Sequence, residues 1–220
     1  MPEETLASPP PNIFVVDHPL VQAKLSLLRS VDTSTADFRR LLREIAALLA
    51  YPVTADLESA PRPVQTPLAP FEGKRMARQI ILVPILRAGL GLLEGMLHLF
   101  PRAAVGHIGM YRDEETLLPQ HYYAKTPPGL AEAEVILLDP MLATGDTACA
   151  AIDRLKEYGV RKIRMITLLA APEGVAKVNA LHPDVLLYTV SLERELNKKG
   201  YILPGMGDAG DRLFDTIQHT

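Results

Sequence analysis

Apolar residues in the first quarter of the chain follow the spacing of helix faces. Segments 19–29 and 34–50 carry apolar residues three and four positions apart, which predicts two amphipathic helices. Thr33 or Ser34 can cap the second helix, and Pro52 is predicted to end it. Residues 58–70 are rich in Pro and Thr, which is typical of a loop with short edge strands.

From residue 79 onward, short apolar runs alternate with helical segments. The predicted strands are 79–83, 103–110, 134–138, 162–169 and 185–190, and the predicted helices are 89–99, 147–158 and 172–180. Gly159 is expected to stop the second of these helices, and the Gly-rich stretch from Glu193 onward is expected to be irregular. The alternation predicts an α/β fold with a parallel sheet flanked by helices, in which ligands bind at the carboxyl ends of the strands.

Length and composition are those of one globular domain. The chain has 220 residues and a net charge of -3. Its acidic, proline-rich start predicts a disordered tail over residues 1–16, followed by a single domain over 17–220. The chain shows no signal-peptide pattern and no apolar run near the roughly 18 residues of a membrane span. We therefore expect a cytoplasmic protein with no membrane partner.

Charge and metal-ligand patterns exclude further classes. Without a Lys/Arg cluster, the mild negative charge argues against a nucleic-acid partner. Cys149 is the single cysteine, so neither a disulfide framework nor a thiol metal site is expected. The six histidines have no metal-ligand spacing, and none is assigned a catalytic role.

The most informative segment is 135–147. A buried apolar strand runs into Asp139, followed by the small-residue loop 143–147 at the start of a helix. Such a loop offers N–H groups and hydroxyls to a phosphate, while Asp139 lies within reach of sugar hydroxyls or a metal-bound ligand. The combination favours a phosphoribosyl ligand. The alternative is an ordinary strand–loop–helix junction in which Thr147 caps the helix, and no P-loop is present.

Two arginines follow predicted strands. Arg87 comes after an apolar strand beside the predicted phosphate loop and can bind a diphosphate bidentately, or it is a surface residue of a turn. Arg112 opens the polar stretch 111–126, which is either a mobile lid that closes over the diphosphate or a solvated loop.

Glycines are dense over 200–212. They let the backbone approach a ligand closely, so that main-chain groups can bind a planar base. The alternative is a tight C-terminal turn. The Gly-x-Gly-x-x-Gly pattern at Gly205, Gly207 and Gly210 is not a dinucleotide site, because no long strand precedes it.

Three motifs, 83–91, 139–145 and 200–212, together resemble the uracil phosphoribosyltransferase family. Weaker matches, such as Gly109-Met-Tyr-Arg and Ala170-Ala-Pro-Glu-Gly, follow in the family's order. The resemblance implies a type I phosphoribosyltransferase fold: a parallel sheet flanked by helices, with a small hood, about 191–212, over the base. It also implies formation of UMP and diphosphate from uracil and 5-phosphoribosyl 1-diphosphate (PRPP), a pyrimidine salvage reaction.

The resemblance also implies a cofactor and an assembly. Mg²⁺ is carried by the diphosphate, without metal ligands from the protein, and family members are homodimers or homotetramers, some activated by GTP. Roles carry over at matching positions. The implied PRPP-binding residues are Arg87, Arg112, Asp139, Pro140, Met141, Leu142, Ala143, Thr144, Gly145, Asp146, Thr147 and Asp208. The implied uracil-binding residues are Ile202, Gly207, Asp208 and Ala209. Catalytic roles fall to Arg87, Asp139 and Asp208, of which Asp208 is the candidate for removing the N1 proton of uracil.

The chain departs from the family pattern at three places. Asp146 replaces a Gly or Asn, and its carboxylate is mildly unfavourable near a phosphate unless it points away. Leu192-Glu193 replaces an Ile/Val-Asp pair in the support of the hood, and Asp215 replaces the glycine of a Phe-Gly-Thr sequence. Asp146 leaves a catalytically silent relative as one alternative; the others are a phosphoribosyltransferase for another base and an RNA-binding regulator of pyrimidine genes built on this fold.

Overall fold

The computed structural model describes residues 10–112 and 119–216, without the side chains of residues 111–121. Its helices are α1 (Pro19–Arg29), α2 (Thr35–Val53), α3 (Leu90–Leu99), α4 (Asp146–Glu157), α5 (Pro172–Leu181) and α6 (Ala209–Phe214), with a 3₁₀ turn at Leu130–Glu132. Its first strands are β1 (Ile13–Val15), β2 (Ser59–Gln65), β3 (Pro70–Met76), β4 (Ile80–Leu86), β5 (Ala104–Val105), β6 (His107–Arg112), β7 (Pro119–Lys125) and β8 (Glu134–Leu138). The later strands are β9 (Met141–Leu142), β10 (Ile163–Ile166), β11 (Leu169–Ala170), β12 (Leu186–Thr189), β13 (Ser191–Leu192), β14 (Glu195–Leu196) and β15 (Ile202–Leu203).

A mostly parallel sheet forms the centre of the molecule. Its strand order is β1-β12-β10-β8-β4-β6-β7, with β5 also paired to β4, and only the β6–β7 pair is antiparallel. In its register Leu138 lies opposite both Pro84 and Ile166. The ends of β4, β8 and β10 therefore meet at one edge of the sheet, where ligands bind in α/β folds.

Helices cover both faces of this sheet. Alternate residues of β4 face opposite sides: Leu82 packs with α1, α2, α3 and α6, whereas Ile81 and Val83 pack with α4 and α5. Burial on both faces explains why β4 and β8 are continuous apolar runs. The predicted layered α/β architecture is confirmed. Among the described residues, no helix combines the length and apolar character needed to cross a bilayer.

A second, small parallel sheet lies beyond the carboxyl ends of the central strands. It consists of β9, β11 and β13. The predicted strand 162–169 is therefore divided between β10 and β11. The strand predicted over 103–110 is likewise divided, into β5 and β6 at Gly106.

Several N-terminal predictions need correction. Ile13–Val15 does not belong to a tail, because it pairs with β12 at the sheet edge and buries Ile13; residues 1–9 lie outside the description. Residues 58–70, predicted as a loop with short edge strands, contain β2, which pairs with β3 in a seven-pair antiparallel hairpin. Pro52 lies inside the last turn of α2, which ends one residue later at Val53, since a proline there removes only one donor before the helix stops.

The two polar or Gly-rich segments are also more regular than predicted. Much of 111–126 is strand, because β6 extends to Arg112 and pairs with β7, although residues 113–118 of the predicted lid lie outside the description. The chain after Glu193 forms the β14–β15 hairpin and α6. The hood, expected over about residues 191–212, extends to the end of α6 and comprises residues 191–214. Its elements are so short that they depend on packing against the rest of the domain.

Candidate active site

Asp139 lines a cleft of about 370 Å³ at the carboxyl end of β8. Asp139 is partly buried, and desolvation raises the pKa of its carboxyl group to about 7. The N–H of Met141, which donates to Asp139 Oδ1 over 3.5 Å, opposes that rise. Asp139 can therefore exchange a proton near neutral pH.

The loop after Asp139 forms one wall of the cleft. Ala143, Thr144 and Thr147 line it, and α4 begins behind them with Gly145 at its N-cap. The first-turn N–H groups of a helix have no partner within the helix, so this wall can bind an anion. Helix α5 supports the loop closely, since a Cβ on Gly174 would lie 2.4 Å from the carbonyl oxygen of Ala143.

Asp146 does not line the cleft. Its carboxylate pairs with Lys177 of α5. The negative charge that Asp146 brings in place of the family's Gly or Asn is therefore paired with a cation on the neighbouring helix.

The hood is held over the cleft by a buried ion pair. Glu193 is 3% exposed and accepts two hydrogen bonds from Arg29, over 2.5 and 2.9 Å. It also accepts from the Ser191 hydroxyl over 2.6 Å and from the Gly205 N–H over 3.0 Å. Burial alone would raise the pKa of Glu193, but these hydrogen bonds lower it below its ordinary value. Leu192-Glu193, a departure from the family pattern, thus contributes the carboxylate that anchors the hood.

The hood residues facing the cleft come from β15 and the start of α6. Ile202 is buried, and Gly207, Asp208 and Ala209 follow it along the same wall. Asp208 is the N-cap of α6: its Oδ1 accepts the N–H of Asp211 over 2.9 Å. This wall combines an apolar side chain, main-chain groups and one carboxylate.

Arg87 stands between β4 and the hood. Its exposed guanidinium is 3.2 Å from Asp211 Oδ1 and 5.7 Å from the ring centre of Phe214. The turn that carries it lies tightly against β8, because a Cβ on Gly89 would be 2.3 Å from the carbonyl oxygen of Leu138. Arg87 is thus placed beside the cleft, whose wall its neighbour Ala88 forms.

A sequence model of the uracil phosphoribosyltransferase family matches residues 15–216. The chain belongs to the uracil phosphoribosyltransferase family. It is 54% identical over 205 residues to the uracil phosphoribosyltransferase of Rhizobium rhizogenes, an alignment covering 93% of this chain and 98% of that relative. The predicted family is confirmed.

Solved structures agree with this membership. A protein from Aquifex aeolicus superposes with a TM-score of 0.89 at 36% identity, covering 94% of this chain and all of the other. A hypoxanthine-guanine phosphoribosyltransferase from Bacillus anthracis, at a TM-score of 0.50 and 14% identity, covers 72% of this chain and 80% of the other and shares the fold alone. The type I phosphoribosyltransferase fold is thereby confirmed.

Most of the residues expected for a uracil phosphoribosyltransferase site line one cleft. They are Asp139, Met141, Leu142, Ala143, Thr144, Gly145, Thr147, Ile202, Gly207, Asp208 and Ala209. Arg87, Pro140 and Asp146 are not part of its lining, and Pro140 is buried. Arg112 ends β6, and its side chain lies outside the description.

The cleft is also lined by residues that have no individual role assigned from the sequence, although Ala88, Gly200, Tyr201 and Gly210 belong to the recognised motifs. They are Ala88, Ala148, Lys199, Gly200, Tyr201 and Gly210. Lys199 and Tyr201 flank Gly200 at the hood's hairpin turn, where Asn197 Oδ1 accepts the N–H groups of both, over 2.9 and 3.0 Å. Their position on either side of Gly200, the first residue of the motif 200–212, is the signal in the sequence that could have identified Lys199 and Tyr201.

Proposed function

We propose that this cleft is the active site in which uracil and PRPP are converted to UMP and diphosphate. Membership of the uracil phosphoribosyltransferase family supports the reaction, a step of pyrimidine salvage. One observation carries the assignment to this cleft. The loop after β8 and the Gly-rich hood, far apart in sequence, face each other across a single space, with Arg87 beside it.

The donor's 5-phosphate binds the loop 143–147. The Thr144 and Thr147 hydroxyls and the first-turn N–H groups of α4 offer hydrogen bonds, and the helix N-terminus adds a partial positive charge. Asp139, directly before the loop, accepts hydrogen bonds from the ribose hydroxyls. Arg87 binds the diphosphate, and the family resemblance assigns the same role to Arg112.

In the reaction the N1–C1′ bond forms, the bond from C1′ to the diphosphate oxygen breaks, and the N1 proton leaves. Positive charge builds on the ribose and negative charge on the diphosphate. The carboxylate of Asp139 stabilises the ribose, and the guanidinium of Arg87 stabilises the leaving group. Asp208, on the hood wall, accepts the proton from N1.

Uracil lies against the hood. Ile202 packs on the ring, and the main chain of Gly207 and Ala209 binds its polar edge. An N–H group that binds the O4 carbonyl of uracil would meet the amino group of cytosine and stay unpaired. The penalty for a buried, unpaired donor explains how a main-chain site selects uracil.

Mg²⁺ enters with the diphosphate in this proposal. The carboxylate oxygens of Asp139 and Asp208 in the cleft are the hard donors that Mg²⁺ prefers, so the residues fit the ion. The described side chains include no cluster of three metal-ligating groups. When bound, Mg²⁺ neutralises charge on the leaving group.

The decisive experiment measures UMP formation by purified protein with PRPP and Mg²⁺, using uracil, cytosine, hypoxanthine or orotate as the base. We expect activity with uracil alone. Arg87→Ala and Asp139→Ala should each lower kcat/KM by about 100-fold to 1,000-fold. Arg40→Ala, which removes an exposed arginine of α2, is the matched control and should keep wild-type activity. Full activity in either site variant would overturn the assignment of that residue.

Assembly, regulation and location remain predictions from the resemblance and the sequence. They comprise a homodimer or homotetramer, activation by GTP, and cytoplasmic location. Sedimentation of the purified protein tests the first, and UMP formation with and without GTP tests the second.

A further inference from the structure

The phosphate loop of this chain carries an acidic residue at the start of α4. Asp146 is the first residue of the helix, directly after Gly145 and before Thr147. A carboxylate there favours the helix dipole but repels a bound phosphate dianion. Donor binding therefore depends on where this carboxylate points and on what neutralises it.

Lys177 of α5 both orients the Asp146 carboxylate and neutralises its charge. Its ammonium group pairs with the Asp146 carboxylate, and neither residue lines the cleft. The pair is partly shielded from solvent, with 26% of the Asp146 side chain and 42% of the Lys177 side chain exposed. It is screened less than a fully exposed pair.

The stem of Lys177 is fixed against the loop. A Cβ built on Gly145 would lie 3.3 Å from the Cβ of Lys177 and 3.1 Å from the carbonyl oxygen of Gly174. Gly174 and Lys177 are three residues apart on α5, so one helix face supports the loop and supplies the cation. Asp146 and Lys177 thus form a charge pair built into the back of the phosphate loop.

We propose that Lys177 is a positioning residue for the donor: it neutralises Asp146 and holds its carboxylate away from the 5-phosphate. Lys177 does not touch substrate and acts only through Asp146. The inference rests on the proposed role of loop 143–147 in binding the 5-phosphate. It assigns to a residue of α5 a part in PRPP affinity and none in the bond-breaking step.

A double-mutant cycle tests this coupling. Lys177→Met removes the ammonium group that pairs with the Asp146 carboxylate and should raise the KM for PRPP about tenfold, with little change in kcat or in the KM for uracil. Lys177→Arg keeps the charge and should stay within about threefold of wild type. In the Asp146→Asn background, where no carboxylate is left to neutralise, Lys177→Met should change the KM for PRPP less than about twofold.

The matched control is Lys156→Met. Lys156 pairs with Asp184 over 2.7 Å and lies near the other end of α4, away from the loop. Its loss should leave the KM for PRPP unchanged. Thermal unfolding of every variant establishes that the compared proteins are folded, and Lys177→Gln replaces Lys177→Met if the latter does not fold.

Three results would overturn the proposal. One is an unchanged KM for PRPP in folded Lys177→Met, another is a loss of kcat alone, and the third is the same KM rise with and without the Asp146 carboxylate. The third result would mean that Lys177 acts on the donor directly. Thr147→Ala tests the underlying site independently: an unchanged KM for PRPP in that variant would refute the 5-phosphate assignment itself.

Discussion

Replacing Asp139 with asparagine is expected to stabilise the free protein while it removes most UMP formation. The carboxyl group lines the cleft, and desolvation raises its pKa from an ordinary 3.8 to about 7. The folded protein therefore binds this proton more tightly than the unfolded chain, and ionisation at neutral pH costs folding free energy. Asparagine has nearly the same size and carries no charge to desolvate.

The magnitude follows from that pKa change. A difference of about 3 pKa units corresponds to about 4 kcal/mol. Water that enters the open cleft of Asp139→Asn reduces this stabilisation. We therefore expect the substitution to raise the free energy of unfolding by about 2–4 kcal/mol at pH 8. The folded wild type loses stability when Asp139 gives up its proton. This free-energy cost is absent below about pH 4, grows between pH 4 and 7, and is constant above pH 7. The difference in the free energy of unfolding between Asp139→Asn and the wild type should show the same dependence on pH.

Urea unfolding of both proteins from pH 4 to 8.5, at one protein concentration, measures the difference. Asp32→Asn, which changes an exposed carboxylate outside the cleft, is the control and should show no pH-dependent gain. UMP formation by Asp139→Asn at pH 8 should fall at least about 100-fold. A stability difference that does not change with pH, or a loss of stability at pH 8, would refute the reasoning.

The remaining predictions concern stability. Glu193→Ala leaves Arg29 without its buried partner and should cost about 2–4 kcal/mol in the free energy of unfolding, with a higher KM for uracil as the hood loosens. Gly89→Ala places a Cβ 2.3 Å from the carbonyl oxygen of Leu138 and should cost about 2 kcal/mol or more. Asp215→Gly relieves a φ of 57° at the end of α6 and should gain up to about 1 kcal/mol. Urea unfolding measures each change.

Each of these has a control or a contradicting result. Glu193→Gln keeps the size and removes only the charge; a negligible cost in that variant would show that charge is not what anchors the hood. Gly129→Ala also changes a glycine, at φ 77° but with no atom within 4 Å, and should cost only about 1 kcal/mol. A loss of stability in Asp215→Gly would show that its side-chain contact with the Thr35 hydroxyl outweighs backbone strain.

Local patterns were enough to predict the central part of the fold. The apolar runs in β4 and β8 and the amphipathic faces of α1 and α2 are encoded within single segments, because burial on one or both sides of an element dictates its period. The loop after Asp139 was recognisable for the same reason: strand, acid, small residues and helix start follow one another directly. Family motifs then indicated the reaction before any tertiary contact was known.

Contacts between distant segments decided what these patterns could not predict. Ile13–Val15 is a strand only because β12 supplies its hydrogen bonds, and the short hood elements depend on anchors such as Glu193 and Arg29, 164 residues apart. A carboxylate at position 146 is accommodated because Lys177 is presented from another helix. The pKa of Asp139 depends on burial under neighbouring segments. Sequence determined which groups this protein has, and the tertiary structure determined their charge environment, because desolvation and ion pairing act through space rather than along the chain.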